Sequence, residues 1–159
     1  DLAVVGGTLF AGLADRVVAL SSSSLGELWS HPTSDEVDNL VAGGGSVFFS
    51  VVGGGVHLLT DSGNPVASAG GDGVFQALAR SSSNLLLAAR SDATLFAWDE
   101  FALEEQWSLS EADTPVQGLV VSGSSVFYGN AGYVDGINAS DGSSLWYYQA
   151  GVPAGLLGL

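Results

Sequence analysis

Residues 125–129 read Ser-Val-Phe-Tyr-Gly, a short apolar segment of a kind that occurs four times in the 159-residue chain. The other three copies occupy residues 8–12, 46–50 and 84–88. The copies are centred 38, 38 and 41 positions apart, and a leucine lies eight residues before each centre: Phe10, Phe48, Leu86 and Phe127, preceded by Leu2, Leu40, Leu78 and Leu119. A repeat of about 40 residues that contains several short strands is typical of β-propeller blades.

The last repeat shows the order of strands within one unit. Four apolar segments at 118–122, 125–129, 133–137 and 144–148 are separated by breaks that carry glycine, serine or asparagine. Such breaks favour the tight turns of hairpins, so each unit is predicted to form a four-stranded antiparallel sheet. Neighbouring sheets must then stack face to face to bury their apolar sides.

The repeat therefore predicts an all-β chain that forms a single propeller segment. Its four blades are expected at residues 1–37, 38–75, 76–116 and 117–151. Leu157 follows Leu119 at the spacing of the repeat, so residues 152–159 are predicted to form the first strand of a fifth blade. A ring of four blades leaves no place for that strand. We therefore expect the chain to be part of a larger ring, with the assembly of several copies as the alternative.

A second pattern connects the third and fourth strands of the units. Three units place a tryptophan ten residues after an alanine or glycine: Ala19 with Trp29, Ala97 with Trp107, and Gly136 with Trp146. In two of these units an aspartate or asparagine lies two residues after the alanine or glycine, as Asp99 and Asn138. The last unit also has Gly142 before its tryptophan. The pattern places a polar turn and a large ring at fixed positions of each sheet.

This pattern resembles the repeat of pyrroloquinoline-quinone-type (PQQ-like) propellers. Blades of that family carry Ala, any residue, Asp, then Thr-Gly, and a Trp ten places after the Ala. Two units depart from it, because Gly26 stands one place late for the glycine, and Val66 and Ala67 occupy the tryptophan region of the second unit. The resemblance implies a ring of seven or eight blades. It implies little about activity, since fold does not determine function.

The resemblance assigns structural roles to the motif residues. Three tryptophans are interpreted as staples that bury their rings where two blades meet: Trp29, Trp107 and Trp146. Asp99, Asn138 and Gly142 are interpreted as staple residues of the turns, because Asp and Asn side chains bond to nearby backbone amides. Trp98 lies outside the motif on a third strand, and it is the tryptophan for which we predict surface use.

The composition excludes several classes of partner. Seventeen carboxylates against three arginines give a formal charge of −14, which repels a phosphate backbone, so no nucleic acid is expected as a partner. The chain contains no cysteine, which excludes disulfides, thiolate metal sites and a cysteine nucleophile. No apolar run reaches the roughly 18 residues of a membrane helix, so no transmembrane segment is predicted.

No motif for catalysis, a cofactor or a metal emerges from the sequence. His31 and His57 lie far apart in the chain and in different strand contexts, without further ligands at suitable spacing. The glycine runs lack the lysine and the helix that a phosphate loop needs. Members of the PQQ family that are dehydrogenases hold a quinone and calcium, in many cases with a vicinal cysteine pair. The main alternative function is therefore a fragment of a quinoprotein-type oxidoreductase whose cofactor residues lie elsewhere.

Two acidic segments are candidates for interaction. Asp35, Glu36 and Asp38 connect the first and second units, and Glu111 and Asp113 connect the third and fourth. In propellers of this family such connections run to the central rim, where two acidic loops attract a cation or a basic partner. The leading interpretation is a non-catalytic binding or scaffold module that presents its rims to a protein partner. A structural subunit that self-associates through open blade faces is the second alternative.

The family resemblance also bears on location. Propellers of this type commonly lie outside the cytoplasm, and the chain lacks cysteine and lysine and is strongly acidic. We therefore expect an extracytoplasmic protein, whether periplasmic, secreted or on the cell surface.

Overall fold

The computed structural model describes residues 1–110, 116, 118–130 and 132–149. These residues form four antiparallel sheets of four strands each, and every sheet is built from consecutive segments of the chain. We call the sheets blades 1 to 4. Blade 1 contains β1 (Leu2–Val5), β2 (Thr8–Gly12), β3 (Arg16–Ser21) and β4 (Glu27–Pro32); blade 2 contains β5 (Val37–Gly43), β6 (Ser46–Val51), β7 (Gly55–Thr60) and β8 (Pro65–Ala69). Blade 3 contains β9 (Phe75–Arg80), β10 (Leu85–Arg90), β11 (Thr94–Asp99) and β12 (Glu105–Ser110); blade 4 contains β13 (Gly118–Ser122), β14 (Ser125–Asn130), β15 (Tyr133–Asn138) and β16 (Ser144–Gln149).

The strands form where apolar residues cluster, many of them β-branched or aromatic, and they stop where the chain reverses. Gly44 and Gly123 adopt left-handed backbone angles, with φ of 62° and 60°, in the turns between the first two strands of blades 2 and 4. Glycine adopts such angles without a steric penalty, which is why these short turns can join strands of opposite direction.

All four blades share one irregularity of register. The pairing of the third and fourth strands shifts by one residue near the turn, for example between Ala19 and Leu20 and between Gly136 and Ile137. Blades 2 and 3 show the same shift after Leu58 and Ala97. A bulge of this kind bends the strand and strengthens its twist. The turns that follow the bulges are therefore set at comparable positions in successive blades.

The hydrophobic core lies between the sheets rather than within one of them. Blade 2 packs against blade 1 through residues such as Phe10, Val17 and Phe49, all of which are buried. A second buried cluster joins blades 2 and 3, and a third joins blades 3 and 4. The first strands β1, β5, β9 and β13 pack in that order. Within the described part of the chain, no comparable strand packing joins blade 1 to blade 4.

The predicted all-β fold with four four-stranded blades is confirmed. The predicted extra strand at 152–159 lies outside the described residues. Asp38 belongs to β5 rather than to the connection between blades, because the strand begins at the buried Val37, whose amide donates to the carbonyl of Leu13. His31 lies inside β4, the fourth strand of blade 1. The described residues contain no long apolar helix of the kind that crosses a bilayer.

Candidate interaction surfaces

Two tryptophans join neighbouring blades in the same way. The indole Nε1 of Trp29 in blade 1 donates to the carbonyl of Asp61 in blade 2 at 2.8 Å. Trp107 in blade 3 donates to the carbonyl of Ala139 in blade 4 at 3.0 Å. In both cases the acceptor lies 32 residues further along the chain, in the turn between the third and fourth strands of the next blade. The partly buried ring and its satisfied N–H hold that turn against the preceding blade.

Each of these rings lies directly against a glycine. A Cβ atom placed on Gly63 would lie 2.8 Å from Cδ2 of Trp29, and one on Gly142 would lie 3.0 Å from Cε3 of Trp107. Both glycines also have left-handed backbone angles, with φ of 85° and 70°. Any side chain at these positions would therefore displace the ring and strain the backbone.

The turn residues named from the sequence make local hydrogen bonds. Oδ1 of Asp99 accepts from the amides of Phe101 and Ala102 at 2.9 Å each, and Oδ2 accepts from that of Glu104 at 2.7 Å. Desolvation raises the pKa of Asp99, but these amides outweigh it and leave the pKa below its ordinary value. Oδ1 of Asn138 accepts from the amide and hydroxyl of Ser140, both at 3.0 Å.

Trp146 occupies the equivalent position in blade 4 but lies in the open. It pairs with Gly136 across the sheet and contacts Phe127, with ring centroids 5.7 Å apart. Phe10 and Trp29 of blade 1 form the same pair at 5.9 Å. No described blade covers the pair in blade 4, and Trp146 is accordingly 46% exposed. The sequence predicts that Trp146 joins its blade to the next one, but no further blade is present among the described residues for it to join.

The interface between blades 2 and 3 has no tryptophan at the stapling position and is built differently. Ala67 stands at that position and packs against a buried cluster that contains Leu103 of blade 3. Leu103 occupies the turn position that glycine holds in blades 2 and 4, although its φ of 56° is unusual for leucine. Its side chain is buried and lies on the side of the blade where a tryptophan ring would otherwise pack.

The same interface, between blades 2 and 3, also contains an ion pair. Arg80 donates from Nε and Nη2 to the two carboxylate oxygens of Glu100, at 2.7 and 2.5 Å. The Glu100 side chain is 5% exposed and that of Arg80 is 23% exposed. The guanidinium also lies over the ring of Phe48 in blade 2, at 5.8 Å, and fills the space beside Gly43. A bidentate, partly buried pair therefore links blade 3 to blade 2.

Trp98 does not have the surface role that the sequence suggested. It is 3% exposed, stacks on Phe96 with ring centroids 5.0 Å apart, and meets the edge of Phe75 at 5.8 Å. The reason is its strand, β11, whose faces are both covered by neighbouring blades. Trp98 is thus a core residue of the interface between blades 2 and 3.

The connections between blades and the turns between second and third strands lie on one rim, which we call the connection rim. The amide of Thr33 donates to the carbonyl of Asp15, and that of Val52 donates to the carbonyl of Glu36, so connections and turns are bonded together. Asp35 and Glu36 are exposed on the first connection, and Asp72 on the second.

Only some carboxylates of the connection rim form ion pairs among the described residues. The ion pairs of the described residues are Arg16 with Asp15, Arg80 with Glu100, and Arg90 with Asp92. Two of these pairs, those of Asp15 and Asp92, lie in turns of the connection rim. The exposed carboxylates of the connections and of the start of β5 take part in no ion pair among the described residues: Asp35, Glu36, Asp38 and Asp72. Glu111 and Asp113, the second predicted acidic segment, lie outside the described residues.

A cleft between blades 1 and 2 brings the two histidines together, which the sequence spacing did not predict. His31 and His57 line the same cavity of about 230 Å³, together with Phe49. His57 stacks on Phe49 with centroids 5.2 Å apart, and its Nε2 lies 3.0 Å from the carbonyl oxygen of Gly54. Burial lowers the pKa of His57, against the carbonyl, which raises it, and His31 lowers it further.

The described residues hold no grouping suited to metal binding. Across residues 1–110, 116, 118–130 and 132–149, no three His, Asp or Glu side chains come together as ligands. The two histidines of the cleft therefore lack a third ligand among these residues.

Comparison with known proteins places the fold. No protein-family model and no curated protein sequence matches the chain. The computationally designed Ika4 protein superposes with a TM-score of 0.78 at 21% identity, covering 86% of this chain and 88% of that one. BamB from Moraxella catarrhalis gives 0.82 at 14% identity, covering 98% and 50%. A chain of the mitotic checkpoint complex gives 0.80 at 16%, covering 92% and 50%.

These similarities establish a β-propeller architecture. At such low identity they show the fold alone, so membership of the PQQ-like family stays a prediction. The chain spans half the length of BamB and half that of the checkpoint protein.

Proposed function

We propose that the chain is a non-catalytic propeller segment, part of a larger ring, that binds a basic protein partner on its connection rim. The observation that carries the proposal is the set of exposed carboxylates without ion-pair partners on that rim: Asp35, Glu36, Asp38 and Asp72. Their negative potential steers and orients a positively charged surface.

The architecture supports this use of the rim. The connections that carry Asp35 and Asp72 are tied to rigid sheets by backbone hydrogen bonds, such as that from Ser91 to Val74. A partner would thus meet a pre-formed surface and would lose little affinity to ordering of the loops. The propeller neighbours include a checkpoint complex, which is an assembly of several proteins by its name.

The test measures binding of a decalysine peptide by fluorescence anisotropy. A rim variant with four neutralised carboxylates is compared with a variant that loses the same charge on the opposite rim. The first carries Asp35→Asn, Glu36→Gln, Asp38→Asn and Asp72→Asn; the second carries Glu27→Gln, Asp61→Asn, Glu104→Gln and Asp141→Asn.

Binding that depends on the connection rim should fall at least about tenfold in the first variant and little in the second. It should also weaken between about 0.05 and 0.3 M salt, because the Debye length shortens. Equal losses in both variants would show that only net charge matters, and the rim proposal would fail.

We also propose an extracytoplasmic location. The resemblance to PQQ-like repeats and the absence of cysteine and lysine support it. Fractionation of the source cells with an antibody against the chain would test it, and recovery with cytosolic proteins would overturn it.

A further inference from the structure

The three interfaces between blades follow one rule of size. Each interface pairs a residue at the tryptophan position of one blade with a residue at the turn position of the next blade. The pairs are Trp29 with Gly63, Ala67 with Leu103, and Trp107 with Gly142. A large ring thus meets a glycine, and a small residue meets a leucine. Each pair combines one large and one small residue although the order is reversed in the middle interface, as dense packing requires.

Blade 4 presents the first half of such an interface to solvent. We call its open side the presenting face; it consists of Val120, Phe127, Val134, Trp146 and Tyr148. Val120 is 63% exposed and Trp146 46%. The pair Phe127 and Trp146 reproduces the geometry of Phe10 and Trp29, which blade 2 covers. A contiguous apolar face of this kind marks an interaction site.

Blade 1 presents the second half of an interface, which we call the receiving face. Leu2, Val4 and Leu25 lie on it and are each about two thirds exposed. Leu2 and Val4 correspond in the repeat to Leu119 and Val121 of blade 4, which pack against blade 3. Leu25 corresponds to Gly142. Its amide donates to the carbonyl four residues earlier, as those of Gly142 and Leu103 do.

The two open faces do not fit each other. The presenting face carries a tryptophan, whereas the receiving face carries a leucine with φ of 56° where the ring requires glycine. In the two stapled interfaces even a Cβ atom at this position would lie 3.0 Å or less from the ring. The turns with glycine, at Gly63 and Gly142, are already covered inside the chain.

We infer that the presenting face of blade 4 is a docking site for a further propeller blade that carries glycine at the turn position. Blade 1 of a second copy is not that blade. Trp146 would donate its N–H to a carbonyl in the turn of the docked blade, as Trp29 and Trp107 do. The inference rests on the proposed larger ring, but it concerns the sheet faces and does not depend on binding at the connection rim.

The experiment converts the receiving face into the missing partner. Leu25→Gly creates a glycine turn in blade 1, and the left-handed backbone favours this change. Leu25→Ala is the matched control, because it removes most of the leucine but keeps the Cβ atom. Sedimentation equilibrium compares the wild type, the single variants Leu25→Gly, Leu25→Ala and Trp146→Ala, and Leu25→Gly combined with Trp146→Ala. Circular dichroism and the unfolding midpoint confirm that each variant is folded.

We expect Leu25→Gly to tighten self-association at least about tenfold relative to the wild type, which is what relief of one overpacked contact can give. Leu25→Ala should not reproduce the gain, and Trp146→Ala in the glycine background should abolish it. Three outcomes would overturn the inference: no gain with glycine, an equal gain with alanine, or a wild-type dimer that Trp146→Ala weakens. The last would mean that Trp146 docks onto Leu25 of a second copy.

Discussion

The interface between blades 3 and 4 and the interface between blades 2 and 3 both hold two sheets together, but they do so with different residues. The first uses Trp107, a flat ring with one hydrogen bond to Ala139. The second has Ala67 at the equivalent site and relies on Leu103 with the Arg80 and Glu100 pair. The interface, and not the single blade, is therefore the unit within which residues compensate for one another.

The largest effect should come from breaking the ion pair of the interface that lacks a stapling tryptophan. Glu100→Ala leaves the guanidinium of Arg80 without its partner beside Phe48, and we expect a loss of about 3 kcal/mol in the free energy of unfolding. Urea unfolding measures this value. The double variant Arg80→Met with Glu100→Leu should recover most of the loss, because no unpaired charge remains. A double variant as unstable as the single one would show that the pair itself is essential.

The next effect tests how much the tryptophan ring contributes to a covered interface. Trp107→Ala should lower the free energy of unfolding by about 2–3 kcal/mol, somewhat less than for a fully buried ring. Trp146→Ala removes the same side chain at the same position of the repeat, but it should cost less than about 1 kcal/mol because no described blade covers it. Similar losses at the two positions would contradict the distinction between the covered and the open interface.

A smaller effect tests the glycine under the ring. Gly142→Ala should cost about 1–3 kcal/mol, since its φ is 70° and the new Cβ would meet Trp107. In the Trp107→Ala background the steric part of this cost should disappear and only the backbone part should remain. The coupling energy from this double-mutant cycle is the measurement, and a coupling near zero would separate the glycine from the ring.

The smallest effect concerns the interface between blades 1 and 2 and its dependence on pH. Burial lowers the pKa of His57 in the folded chain below the 6.5 of an exposed histidine. Its contribution to stability is therefore fully present above pH 6.5 and is lost as the pH falls through the folded pKa. Unfolding midpoints between pH 7.5 and 5 should decline less in His57→Gln than in the wild type. His31→Gln, on the same cleft, serves as the control for a general effect of losing a histidine.

The repeat made the strands predictable, but not which blades exchange a large residue for a small one at an interface. The regular spacing of the repeats and the glycine-rich breaks located the second strand of every blade and all four strands of blade 4. The positions of the tryptophans indicated which residues face a neighbouring blade. The sequence did not reveal that Leu25 and Leu103 stand where Gly142 stands, because a left-handed leucine is rare and its partner belongs to another repeat.

The other differences have the same physical origin. The sequence predicts surface use for Trp98 because it lies outside the motif, yet its strand is covered on both sides. The sequence does not connect His31 with His57, because they belong to different repeats, yet neighbouring blades bring them to one cleft. In each case the deciding contact joins two repeats, and local patterns carry no information about it. These contacts could have been found by comparing matching positions in neighbouring repeats, because such positions meet across the interface between two blades.

The direction of the indole hydrogen bonds has a consequence for how the chain is made. The indole of Trp29 cannot form its hydrogen bond until Asp61 has been synthesised, and that of Trp107 cannot until Ala139 has been. Each acceptor lies 32 residues downstream. A ribosome that adds about 5–20 residues per second supplies that stretch in roughly 2–6 seconds. Blades 1 and 3 therefore emerge with their rings uncovered until the following blade has been translated. The order of assembly runs from the amino terminus, and a pause in translation at a blade boundary would prolong the exposure of one tryptophan at a time.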